Sequence, residues 1–131
     1  MDGIRVGSRL TLALRVLVGL VFVLFGANYF VEFLPKPEGT AATRGFGRAL
    51  AETGYMWPLI KGTEIAAGML LLTGIWVPLG LVVLAPLVVN IALWNVLLDP
   101  SGVGIAIGVT LPYLALVWAY RDAYRGMFRV G

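Results

Sequence analysis

Lys61 and Glu64 stand three residues apart in a stretch that is otherwise apolar from Trp57 to Trp76. At that spacing both side chains lie on one face of a helix. Two opposite charges in the outer part of a membrane helix are costly unless they pair, face a cavity or contact the protein interior. Other polar residues interrupt the neighbouring apolar runs: Asn28, Asn90 and Asn95, with Trp94 one turn after Asn90. Together they describe a polar cavity in which Glu64 is the central acid and Lys61 its partner. Asn28, Asn90 and Asn95 would supply orienting hydrogen bonds, and Trp94 a flat wall for a ring-shaped ligand. The plainer alternative is that these groups bond one another and hold the helices together. Interhelical polar contacts of that kind are common and worth only about 0.6–2 kcal/mol each.

The elements that position these residues follow from composition. Of 131 residues, 60% are hydrophobic and 13% are charged, and the mean hydropathy is +0.90. Soluble domains carry about 45–50% apolar residues with glycine included, and roughly 25% charged ones. The chain therefore reads as one integral membrane domain, with no room for a separate soluble one. It has no cysteine and no histidine. Disulfides, thiol chemistry, Cys/His metal sites and His-ligated haem are excluded, as is the usual neutral-pH general base. No catalytic residue and no metal ligand is assigned. A redox role would have to rest on a bound organic molecule or on a partner chain. The net charge of +3 lies mostly at the ends of apolar segments and gives no nucleic-acid footprint.

Four apolar segments, about 10–34, 58–76, 78–98 and 102–120, each approach the ~20 residues needed to span a bilayer. Arg5 and Arg9 ahead of an apolar core resemble a signal peptide. The run through Phe33 is longer than the ~7–15 residues of a signal core, so the segment is expected to stay as a membrane helix. Pro35 and Pro37 are expected to end it. In the loop that follows, Phe46, Ala49, Leu50 and Thr53 share one helical face, and Arg44, Arg48 and Glu52 share another. A short interfacial helix is expected there, against the alternative of a polar loop favoured by Gly45 and Gly47. Pro86 and Pro112 fall inside the third and fourth segments, and Asp99-Pro100-Ser101-Gly102 fits a type I turn between them. Gly19, Gly26, Gly68, Gly74, Gly104 and Gly108 are expected to let helices approach closely.

Four crossings put both termini on one side. Arg5, Arg9, Arg15, Arg121, Arg125 and Arg129 outnumber Lys36, Arg44 and Arg48 of the long loop, which places the termini in the cytoplasm. At about 1.5 Å per residue, Asn28, Lys61, Glu64, Asn90 and Asn95 then share the outer half of the membrane. Arg15 in the inner half is expected to snorkel or to pair with Asp122 at the cytoplasmic end.

Several stretches resemble the DoxX family. These are Arg15-Val16-Leu17-Val18-Gly19-Leu20-Val21-Phe22 with Phe25-Gly26 and Phe30; Thr53-Gly54-Tyr55 with Pro58-Leu59-Ile60, Glu64 and Gly68 through Gly74; Ala85-Pro86-Leu87-Val88-Val89-Asn90-Ile91; Leu98-Asp99-Pro100-Ser101-Gly102; and Trp118-Ala119-Tyr120-Arg121-Asp122. The resemblance covers nearly the whole chain and implies a four-helix bacterial inner-membrane protein. The family takes its name from a small subunit of a thiosulfate:quinone oxidoreductase. Other members are linked to oxidative-stress and thiol-handling complexes, and distant animal relatives to receptor assembly or cargo export. Where many relatives carry His near the end of the third segment, this chain has Trp94 and Asn95, and it has no thiol of its own.

The expectation is thus an all-α integral membrane antiparallel four-helix bundle with a short helix between its first two spans. It would act as an accessory membrane subunit that binds a lipophilic molecule, a quinone or lipid, beside a membrane or periplasmic redox partner, with homo-oligomers allowed. A structural or assembly factor for other membrane proteins is the main alternative. A small transporter of a hydrophobic compound is the third, disfavoured by the apolar inner half.

Overall fold

The computed structural model describes residues 2–35 and 38–128, with side chains from residue 8 onward. Lys36, Pro37 and Arg129 lie outside the described residues, as does the side chain of Arg5. Every regular element among the described residues is helical. Helix α1 covers Asp2–Val31, α2 Ala41–Glu52, α3 Met56–Thr73 and α4 Val77–Leu93. A π turn over Trp94–Leu98 and a 3-10 turn over Pro100–Gly102 lead into α5, Val103–Ala119, and a 3-10 segment, Arg121–Phe128, follows.

Local chemistry explains where these helices stop. Helix α1 does not run to residue 34 as expected. The Asn28 carboxamide oxygen accepts the backbone N–H groups of Phe33 at 2.8 Å and Leu34 at 2.7 Å. Glu32 turns to a positive φ of 51°, so the helix is closed by its own side chain before the prolines are reached. Helix α2 is present despite Gly45 and Gly47. Thr40 and Thr43 form a capping box in which Thr43 N–H donates to Thr40 Oγ1 (3.1 Å) and Thr40 N–H to Thr43 Oγ1 (2.9 Å), satisfying donors a helix start leaves orphaned. Gly74 ends α3 with φ +76°, a left-handed position that suits glycine. The third apolar segment is not one α-helix to residue 98, because the π turn widens its last turn. The Asp99 N–H reaches back to the Trp94 carbonyl at 2.9 Å. The expected turn at Asp99 is formed, with Gly102 N–H donating to the Asp99 carbonyl at 2.9 Å.

Three stretches are long and apolar enough to cross a membrane: Ser8–Val31, Val77–Leu98 and Pro100–Ala119. With the family evidence below, they make this a membrane protein. Helix α3 has comparable length, 18 residues, but Lys61 and Glu64 lower its apolar character and keep it out of that set.

Helix α1 packs on α3 and α5, and α4 packs on α3 and α5. The α1–α3 seam is built on glycine. A Cβ added to Gly68 would stand 2.8 Å from the Gly19 carbonyl oxygen, and one added to Gly26 would stand 2.9 Å from the Lys61 carbonyl oxygen. Only small residues let two backbones come this close. Gly104 and Gly108 do not serve this purpose, since a Cβ there would meet nothing within 4 Å. The buried core joins Val18 and Phe22 of α1, Ala67 and Leu71 of α3, Leu81, Leu84 and Val88 of α4, and Tyr113 and Leu116 of α5. The Tyr113 hydroxyl donates to the Leu81 carbonyl at 2.5 Å, next to the Val82 carbonyl that Pro86 deprives of its helical donor.

Candidate functional site

A cavity of about 320 Å³ lies among α1, α3, α4 and α5, beneath α2. Helix α3 brings Lys61 and Glu64 to it on one face. Their ion pair is formed, with Lys61 Nζ 3.3 Å and 3.5 Å from the two Glu64 carboxylate oxygens. Glu64 is 5% exposed. Its backbone is backed by α1 at Gly26, where a Cβ would lie 3.4 Å from Glu64 Cβ. The ammonium also sits 5.8 Å from the centre of the Trp57 ring, near enough for a cation–π contribution.

From the other side α4 supplies Asn90, and the π turn supplies Trp94 and Asn95. Asn95 is buried. Its Nδ2 donates to the Ile91 carbonyl at 2.8 Å, and its Oδ1 lies against Gly102, where a side chain would collide with it. Asn90 lines the cavity, and its carboxamide makes no hydrogen bond to another described residue. The remaining walls are apolar: Phe22, Phe25, Ile60, Leu87, Ile91, Ile105 and Val109.

Five of the six residues expected to bind a ligand, Lys61, Glu64, Asn90, Trp94 and Asn95, therefore share one cavity. Asn28 does not join them, because its carboxamide is spent on capping the end of α1. The expected Arg15–Asp122 pair is not formed. Asp122 pairs instead with Arg125, one turn along, at 3.0 Å. The Arg15 guanidinium lies over Gly74 at the carbonyl end of α3, a position a cation favours.

The roof was not legible in the sequence. Trp57 Nε1 donates to the Gly47 carbonyl of α2 at 2.9 Å, and Thr40 Oγ1 donates to the Leu98 carbonyl at 2.7 Å. Phe46 meets the Trp94 ring edge-on at 5.4 Å, Trp94 meets Trp57 at 6.4 Å, and Tyr29 stacks on Trp57 at 6.2 Å. Leu50 closes the space beneath them. Thr40 and Thr43 at capping-box spacing were the available signal for α2, but nothing local said which carbonyls its side chains would reach.

The site has acid, cation and amide groups at one end and apolar walls elsewhere. It can hydrogen-bond a polar head and bury an apolar body. Among the described residues no cluster of three or more acidic, His or Cys side chains could hold a metal ion.

The DoxX family model matches residues 10–96, a span that contains every one of these candidate ligand-binding residues. The chain is similar to the uncharacterized protein YwoB of Bacillus subtilis (strain 168). The two are 35% identical over 138 residues, covering 94% of this chain and 90% of that protein. No solved structure matches the chain.

Proposed function

This chain belongs to the DoxX family, and on that premise we propose that it is an accessory membrane subunit that holds a lipophilic molecule, such as a quinone, beside a partner redox enzyme. In this reading the four long helices form an antiparallel bundle in a bacterial inner membrane, with both termini in the cytoplasm. That orientation follows the excess of arginine near the termini and leaves the cavity in the outer half. The observation that carries the reading is the juxtaposition of a paired but buried Glu64 with an uncommitted Asn90 across about 320 Å³ of otherwise apolar space. A pair kept only for helix association would be expected to have its polar neighbours bonded to it. Here the neighbours are held apart by a volume at the lower end of the ~300–1,000 Å³ range of ligand pockets.

The test is mass spectrometry of small molecules that co-purify in mild detergent, with wild type beside Glu64→Gln. A specific quinone or lipid enriched with wild type and lost from the variant is expected. If neither sample carries a specific molecule, the ligand-binding reading falls and the assembly-factor reading takes its place.

A further inference from the structure

The cavity walls are not equally closed. On the α2 side, two hydrogen bonds and a set of packed rings shut it: Trp57 to the Gly47 carbonyl, Thr40 to the Leu98 carbonyl, and the indoles of Trp57 and Trp94 under Phe46. Between α1 and α5 the picture reverses. Phe25 and Ile105 both line the cavity and are still 54% and 64% exposed. A residue that faces both an internal space and the exterior marks an opening. One turn or so further along, Val18 and Phe22 are 4% and 2% exposed, and the space between α1 and α5 shrinks to about 20 Å³ beside Leu17 and Gly108. The seam is thus wider at Phe25 and Ile105 than one turn along, and its rim is apolar.

We propose that the cavity is loaded sideways from the bilayer, through the gap between Phe25 and Ile105, by a membrane-partitioned amphiphile with an uncharged polar head. This rests on the ligand-binding reading above and narrows its chemistry. The head is uncharged because Lys61 and Glu64 already neutralise one another, and a further charge among these apolar walls would be left without a counter-ion. It carries a hydrogen-bond acceptor, a donor or both, as a quinone and its quinol do, because Asn90 can serve either and the ammonium can donate. The apolar tail stays between α1 and α5, because about 320 Å³ accommodates a head group but no long chain. A charged, water-soluble compound fits neither the rim nor the interior.

The chain has no cysteine, so Asn90→Cys introduces a single thiol inside the cavity. Leu87→Cys, a milder change on the same wall, is run in parallel so that a folding defect of the first does not decide the outcome. Each variant is reconstituted into phosphatidylethanolamine/phosphatidylglycerol vesicles. It is then exposed to either N-(1-pyrenyl)maleimide, which partitions into lipid, or a sulfonated maleimide, which does not. The pyrenyl reagent is expected to react several-fold faster than the sulfonated one. Adding Phe25→Trp and Ile105→Trp to fill the gap should slow it several-fold, whereas Leu50→Trp in the roof should not. Equal or faster reaction with the sulfonated reagent would overturn the proposal. So would a thiol that reacts with neither reagent until the protein is denatured. A quinone that co-purifies with a protein labelled rapidly by the sulfonated reagent would remove the side opening and leave the binding reading intact. Pyrenyl labelling through the gap with no co-purifying molecule would do the reverse.

Discussion

The same two helices, α1 and α3, meet in two different ways along their length. Around Gly19 and Gly68 their backbones touch, with a Cβ at either position falling within 3 Å of the other's carbonyl oxygen. Toward α2, the face of α3 that carries Gly68 presents Glu64 and Lys61, and α1 and α3 wall an open volume. One region is closed as tightly as backbone geometry allows, and the other keeps a charged pair beside empty space. Glycine brings α1 and α3 together in the second region as well. A Cβ added to Gly26 would stand 2.9 Å from the Lys61 carbonyl oxygen. The space survives because α4, the π turn and α5 stand back from the pair.

The comparison can be broken at four points, in order of expected effect. Gly68→Leu drives a branched side chain into the α1 backbone, which cannot yield as a side chain can. A loss of about 3 kcal/mol, at the top of the overpacking range, is expected, read as a lower unfolding midpoint in detergent. A midpoint like that of wild type would mean that the seam does not hold α1 and α3 together.

Lys61→Met removes one half of the pair and leaves the Glu64 carboxyl buried without its partner. Breaking a fully buried pair costs about 3–5 kcal/mol. The Lys61 side chain is 21% exposed, so about 2 kcal/mol is expected here. Lys61→Met combined with Glu64→Leu should recover most of that loss. If the double variant is no more stable than the single one, the pair is not what the cavity wall tolerates at a cost.

Tyr124, beyond the last long helix, donates to the Pro78 carbonyl at 3.0 Å. Burial, and then the neighbouring Tyr120, hold its phenol above the ordinary value of 10.0. A raised pKa in the folded state means that the hydroxyl contributes fully below its ordinary value and that this contribution is lost as pH rises through the folded one. Tyr124→Phe should cost about 1 kcal/mol near neutral pH. It should also flatten the decline in unfolding midpoint above pH 10, the unfolded-state value. An unchanged alkaline decline would assign it to other groups.

The smallest effect belongs to the glycines that pack against nothing. Gly104→Ala and Gly108→Ala should leave the unfolding midpoint within about 0.5 kcal/mol of wild type. A large loss at either would show that this face of α5 is covered in the working protein, and would set it beside the α1–α3 seam.

Much of this architecture was readable in advance. The apolar runs, the short α2, the turn at Asp99 and the pairing of Lys61 with Glu64 all follow from periodicity or from neighbours within one helical turn. The readings that failed depended on longer reach. Asn28 has the depth of a cavity residue but lies within reach of two unsatisfied N–H groups at the end of its own helix. Arg15 and Asp122 share an end of the chain's topology, yet Asp122 finds Arg125 one turn away and the Arg15 guanidinium finds the end of α3. The π turn was hidden because a widened turn leaves the residue pattern of a regular helix nearly unchanged over five residues.

Sequence alone determined that this chain enters a membrane, that a turn falls at Asp99, and that Lys61 and Glu64 face the same way. Each of these is a local property, settled by hydropathy and by the 3.6-residue repeat. Tertiary structure alone decided that Asn90, Trp94 and Asn95 close on that pair while Asn28 and Arg15 turn elsewhere, that α2 roofs the cavity, and that the gap at Phe25 and Ile105 stays open. Those outcomes depend on how each helix is rotated against its neighbours and on which backbone groups come within about 3 Å of a side chain, distances that no spacing along the chain encodes.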